Sequence, residues 1–178
     1  TYIIAPWNYP FQLALSPVVG AVAAGNTCLI RPSSMSANTA KMMEKLINEN
    51  FDPGFLKVVL CDTVQSNQLL EHKFDYIFFT GSPDVGRQIY QAAAKHLTPV
   101  TLELGGKSPM FVDETFNTNW GIKRMVWGKF TNAGQTCVAP DYVLVDKKVK
   151  QKFVDAFIKT TKEFFGENPQ QSPDLGRI

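Results

Sequence analysis

Excess charge of either sign is nearly missing from this chain: 18 basic residues against 16 acidic ones leave a net charge of +2 over 178 residues. That removes the electrostatic case for a nucleic-acid or membrane-surface partner. No apolar run reaches bilayer-spanning length, and the start does not read as a signal peptide. Histidine is scarce, and His72 and His96 make no metal-ligand spacing with any cysteine, so no metal site is expected. The cysteines, Cys28, Cys61 and Cys137, are odd in number and suggest no disulfide framework; a reducing, cytoplasmic setting is the default. Cys28 and Cys61 lie in strand-like runs and read as core residues. Internal repeats and low-complexity segments are absent.

Short apolar runs are plentiful, with 44% of the residues hydrophobic. Strand-like runs stand at Tyr2–Ala5, Thr27–Ile30, Leu56–Leu60, Asp75–Phe79 and Val100–Glu103, with helix-length segments between them. Residues 11–25 are small and apolar on all sides and read as a buried helix that Pro17 bends or breaks. Ser36 reads as the N-cap of the next helix. Ser82 and Pro83 read as N-cap and first residue of another, whose core face is Val85, Ile89, Ala92 or Ala93, and Leu97. This alternation predicts an α/β fold, a Rossmann-like parallel sheet with helices on both faces. After Gly106 the rhythm changes: a helix at Trp120–Phe130 with Trp120 and Trp127 in its packing, a strand at Asp141–Val145 and an amphipathic helix at Val149–Phe165. A domain boundary near Gly105 gives residues 1–104 and the start of a second α/β domain, 105–178.

Parallel sheets put ligands at the carboxyl ends of their strands. Asn8, Arg31, Ser82 and Glu103 are all expected there. The first strand-to-helix turn, Ala5-Pro6-Trp7-Asn8-Tyr9-Pro10, has no glycine for a pyrophosphate to approach. Glycines come instead after the fourth strand, in Thr80-Gly81-Ser82-Pro83-Asp84-Val85-Gly86, opening a helix whose free N–H groups can hold phosphate. Arg31 ends the second strand where proteins that select NAD often carry a carboxylate, so a 2′-phosphate could meet a cation there. Cys137 sits in a polar loop, Asn132-Ala133-Gly134-Gln135-Thr136-Cys137-Val138-Ala139-Pro140. Glu103 leaves an apolar strand beside Gly105 and Gly106. Thiol, carboxylate and the Asn8 amide together suggest covalent chemistry at a carbonyl carbon. Taken alone, each has a plainer reading: an incidental thiol, a carboxylate capping a helix or pairing with Lys107, a turn-stabilising asparagine, an ordinary serine cap, a solvated arginine.

Four stretches resemble the aldehyde dehydrogenases, and the class 3 branch in particular. They are Pro6-Trp7-Asn8-Tyr9-Pro10, Phe79-Thr80-Gly81-Ser82, Leu102-Glu103-Leu104-Gly105-Gly106-Lys107-Ser108-Pro109 and Gly134-Gln135-Thr136-Cys137-Val138-Ala139-Pro140-Asp141-Tyr142. The resemblance implies Cys137 as nucleophile, Glu103 as general base and Asn8 as oxyanion donor. It implies that residues 1–104 bind NAD or NADP, with Trp7, Arg31, Ser34, Gly81, Ser82, Val85, Gly86 and Leu104 contributing. The implied activity is oxidation of aldehydes to carboxylic acids through a cysteine thiohemiacetal and thioester. Acyl transfer to coenzyme A and a non-catalytic nucleotide-binding or structural role are the alternatives; Glu103 and the intact nucleophile argue against them. Two departures bear on the cofactor. The family usually has lysine where Arg31 stands and commonly glutamate where Ser34 stands, which favours NADP relative to close relatives. The chain is expected to be an internal piece of a longer, homodimeric protein, and some relatives carry a C-terminal membrane tail.

Overall fold

The computed structural model describes residues 1–117 and 119–176. It divides into two compact units, Thr1–Leu104 and Gly105–Ile178.

In the first unit five strands form one sheet: β1 (Tyr2–Ile4), β2 (Cys28–Arg31), β3 (Leu56–Val58), β4 (Ile77–Gly81) and β5 (Val100–Leu104). All are parallel, in the order β3-β2-β1-β4-β5. Strands buried on both faces read as continuous apolar runs, and Tyr2, Ile3, Ile4 and Ala5 are all buried. Their side chains alternate between two cores. Ile3, Ala5, Cys28, Ile30, Leu56 and Val58 pack with Ala14 and Val18 of α1 (Gln12–Ala23) and with Met43 and Ile47 of α2 (Ala37–Asn50). Tyr2, Ile4, Ile77 and Phe79 pack on the opposite face with Leu70, which follows α3 (Thr63–Leu69), and with Ile89 and Ala93 of α4 (Pro83–Ala94). Each fully buried aliphatic side chain of this kind contributes about 1.5–3 kcal/mol. The α/β architecture with helices on both faces agrees with the sequence reading.

Three details differ. Helix α1 contains Pro17 as expected, but it buries only Ala14 and Val18 and leaves Val19 71% exposed. Ser36 holds the N-cap position of α2 without making a side-chain cap bond. Helix α4 ends at Ala94, and Leu97 turns out into solvent with φ 55°. Its core face is therefore Gly86, Ile89 and Ala93. Val85 stays exposed because it lies in the first turn, beyond the sheet's apolar face.

The second unit pairs β6 (Ser108–Val112) with β7 (Pro140–Val145), also in parallel. Helices α5 (Trp120–Phe130) and α6 (Lys150–Phe165) cover this pair. Val112, Ile122, Val126 and Phe153 form the core, ringed by Phe116, Phe130, Phe157 and other aromatics. Trp120 and Trp127 do not pack into it. They are 74% and 65% exposed, because the buried stripe of α5 runs through Ile122 and Val126 instead.

Candidate active-site elements

The order β3-β2-β1-β4-β5 reverses direction at β1, whose neighbours are β2 and β4. In doubly wound sheets this switch point, at the carboxyl ends of the strands, is where ligands sit. The turns leaving β1 and β4 are Pro6–Pro10 and Gly81–Ser82, so the topology places Trp7, Asn8, Gly81 and Ser82 at the reversal. Asn8 is half-buried, and Trp7 is exposed. The Trp7 carbonyl accepts a hydrogen bond from Ser36 Oγ at 2.9 Å.

Helix α4 starts at the same end. The Ser82 hydroxyl accepts from the Val85 N–H at 3.4 Å, and Pro83 occupies the first turn. Asp84 turns outward: its side chain is 88% exposed and pairs with Arg87. As a first-turn acid in solvent it supports the helix and leaves the N-terminal N–H groups electropositive. Space beside Gly81 and Gly86 is tight. A Cβ at Gly81 would lie 2.5 Å from the Phe79 ring, and one at Gly86 would lie 2.9 Å from Leu104 Cδ2. Leu104, half-buried, packs against the core cluster that α4 covers.

Arg31 closes β2. Its Nη2 donates to the Cys61 carbonyl at 3.4 Å, while its Nε is buried and finds no acceptor among the described residues. A buried guanidinium N–H without a partner favours an oxygen-rich ligand. The next turn closes on itself: Ser33 Oγ accepts from the Met35 N–H at 3.3 Å, and the Ser36 N–H donates to the Ser33 carbonyl at 3.2 Å. Ser34 is exposed within it. Cys61 is only half-buried, not a plain core residue, because it follows β3 at the rim of the sheet. Cys28 is buried, and burial pushes its thiol pKa up. Burial also raises Tyr2, against a smaller opposing effect of its hydrogen bond with Ser66.

Glu103 sits near the end of β5 with its side chain exposed, paired in register with Thr80. In the second unit Lys107 Nζ pairs with Asp141 at 3.3 Å. Within the second unit the loop before Cys137 is strained. Asn132 (φ 53°), Ala133 (φ 55°) and Gly134 (φ 79°) are left-handed in succession. Asparagine tolerates that region, but Ala133 costs about 1–2 kcal/mol there, and such costs concentrate at functional sites. Gln135 Nε2 braces the turn by donating to the Asn132 carbonyl at 2.9 Å. A tight turn follows, closed by the Ala139 N–H on the Thr136 carbonyl at 3.1 Å. Cys137 rides on it, exposed, and its own N–H makes no hydrogen bond among the described residues. Gly106 lies against this loop, where a Cβ would meet the Cys137 carbonyl oxygen at 3.5 Å.

Residues 1–178 match the sequence profile of the Aldehyde dehydrogenase family. The chain belongs to the aldehyde dehydrogenase family. It is similar to the 4,4'-diaponeurosporen-aldehyde dehydrogenase of Staphylococcus aureus, at 54% identity over 99% of this chain and 38% of that protein. It is also similar to aldehyde dehydrogenase family 3 member B1 of Homo sapiens, at 51% identity over 99% of this chain and 38% of that protein. The substrate-bound structure of Staphylococcus aureus AldH superposes with a TM-score of 0.94 at 53% identity, covering 99% of this chain and 39% of that one. The chain thus spans about 38% of the length of these relatives.

Sequence reasoning passed over two features of this aldehyde dehydrogenase family chain. One is the left-handed pair Asn132 and Ala133, for which an asparagine just before Ala-Gly was the available signal. The other is the hydroxyl of Ser36, seen as a helix cap and found bonded to Trp7. A groove of about 560 Å³ between α5 and α6, lined by Trp120, Lys123, Lys159 and Thr160 among others, contains none of the expected site residues. Among the described residues no cluster of His, Cys, Asp or Glu could hold a metal, and no helix is long and apolar enough to cross a membrane.

Proposed function

We propose that the complete protein carrying this sequence oxidises aldehydes to carboxylic acids through a covalent adduct on Cys137. The observation that carries the proposal is the Cys137 loop itself: an exposed thiol on a strained, braced turn with an uncommitted N–H beside it. Family membership over the whole chain supports the same chemistry.

The Cys137 thiol gives up its proton to water, Sγ bonds to the aldehyde carbon, and the carbonyl oxygen becomes an oxyanion. The Cys137 N–H and the Asn8 side-chain amide donate to it; removing one such donor typically costs about 10²–10³ in kcat. A nicotinamide dinucleotide, held by the residues named below, would supply the hydride acceptor for oxidation of the thiohemiacetal to a thioester. Glu103 takes a proton from water, which then attacks the thioester and releases the acid.

The residues of the first unit fit a dinucleotide. The N-terminus of α4, opened by Ser82, offers N–H groups to the pyrophosphate. Gly81 and Gly86 let α4 approach β4 and β5, with Val85 and Leu104 beside them. Arg31 has an unpaired N–H to offer near the ribose, with Ser34 and Trp7 on the adjoining turns. Arg31 in combination with Ser34 favours NADP.

The test is a pair of variants in the complete enzyme. Cys137→Ala removes all aldehyde oxidation. Glu103→Gln keeps a stoichiometric burst of reduced coenzyme and loses steady turnover by about 10²–10⁴-fold. A Cys137→Ala enzyme that still turned over would end the proposal.

A further inference from the structure

Ser36 stands at the N-cap position of α2, where a serine ordinarily accepts from a first-turn N–H. Here it makes no such bond, and its hydroxyl donates to the Trp7 carbonyl at 2.9 Å. The β2–α2 turn does not need that hydroxyl, since Ser33 accepts from Met35 and the Ser36 N–H reaches the Ser33 carbonyl. The side chain therefore forgoes a local cap and ties two turns together.

The bond falls on the peptide that joins Trp7 to Asn8. Because that peptide is planar, fixing the direction of the Trp7 carbonyl fixes the direction in which the Asn8 backbone leaves it. We propose that Ser36 is a positioning residue that orients Asn8 for its task as oxyanion donor. The inference rests on the reading of Asn8 given above. Ser36 touches neither substrate nor coenzyme in this role; it acts through the Trp7–Asn8 peptide. The same bond links Asn8 to the turn that carries Arg31 and Ser34.

The test compares Ser36→Ala, Ser36→Asp, Ser36→Thr, Asn8→Ala and the Ser36→Ala/Asn8→Ala pair in the complete enzyme. The readouts are the rate of the acylation burst and the unfolding temperature. Aspartate can cap α2 but has no proton to give the Trp7 carbonyl. Ser36→Asp should therefore keep the unfolding temperature and still slow acylation, as Ser36→Ala does, by about 10-fold to 100-fold, the scale of a misplaced catalytic group. Threonine retains the donor and should restore the rate. With Asn8 already replaced, Ser36→Ala should cost nothing further. A full acylation rate in Ser36→Asp, or an undiminished loss from Ser36→Ala in the Asn8→Ala background, overturns the inference alone. A full acylation rate in Asn8→Ala overturns both the inference and the role assigned to Asn8.

Discussion

Gly81 lies directly over the ring of Phe79, so close that a Cβ would stand 2.5 Å from Cζ. Phe79 cannot retreat, because it is 4% exposed and packed among Tyr2, Ile4, Ile77 and Ile89. Gly81→Ala should therefore destabilise the first unit by about 1–3 kcal/mol, the usual cost of overpacking. Thermal unfolding of the complete protein checks this; an unchanged midpoint would mean that the ring has somewhere to go.

Thiol reactivity should rank by burial and chemistry. Cys28 is 5% exposed, with its pKa raised by that burial, so near neutral pH it is a protonated thiol out of reach. Cys137 is exposed. Alkylation followed by peptide mass mapping should label Cys137 first and Cys28 last, with Cys61 between. Pre-incubation with an aldehyde should protect Cys137 and leave the order of the other two unchanged.

Arg31 should govern the choice between coenzymes. A charge-assisted hydrogen bond is worth about 1.5–3 kcal/mol, or roughly tenfold or more in affinity. Arg31→Ala should raise the KM for NADP by that factor and leave the KM for NAD within about threefold, since only NADP has the 2′-phosphate. Equal losses for both coenzymes would assign Arg31 to the shared part of the ligand.

Asp113 gives a pH-linked prediction in the second unit. Hydrogen bonds from the Thr115 hydroxyl and N–H hold its carboxyl below the ordinary value of 3.8. A depressed carboxylate stabilises the fold above that ordinary value and loses the contribution as the pH falls through the folded one. Thr115→Val keeps the N–H bond and removes the hydroxyl bond. Titration followed by carboxyl NMR shifts should then move Asp113 upward, and the variant's stability should differ from the parent's above pH 3.8 but converge with it in stronger acid.

Much of the first unit was legible because parallel strands announce themselves: Tyr2–Ile4 and Ile77–Gly81 are short apolar runs with turn residues behind them. Strand β6 was not legible. Pro109 lies within it and cannot donate to a ladder, and the register shifts between Ser108 and Pro109. Helical spacing marked α5 correctly but could not say which stripe faces in; Ile122 and Val126 won over the larger tryptophans. Leu97 continued the periodicity of α4 in sequence, but the backbone had already left the helix at Lys95. Among the site residues, types and strand-end positions could be read from motifs. The bond from Ser36 to Trp7 could not, because it joins positions 29 residues apart and depends on two turns folding side by side.

The left-handed steps at Asn132, Ala133 and Gly134 make the heading of the loop that carries Cys137 a property of the main chain. Side chains that make no bond within this loop can change without altering its path, whereas Gln135, which donates to the Asn132 carbonyl, cannot. Replacing Ala133 by a branched residue such as valine, which resists that conformation, is the edit that would redirect the loop.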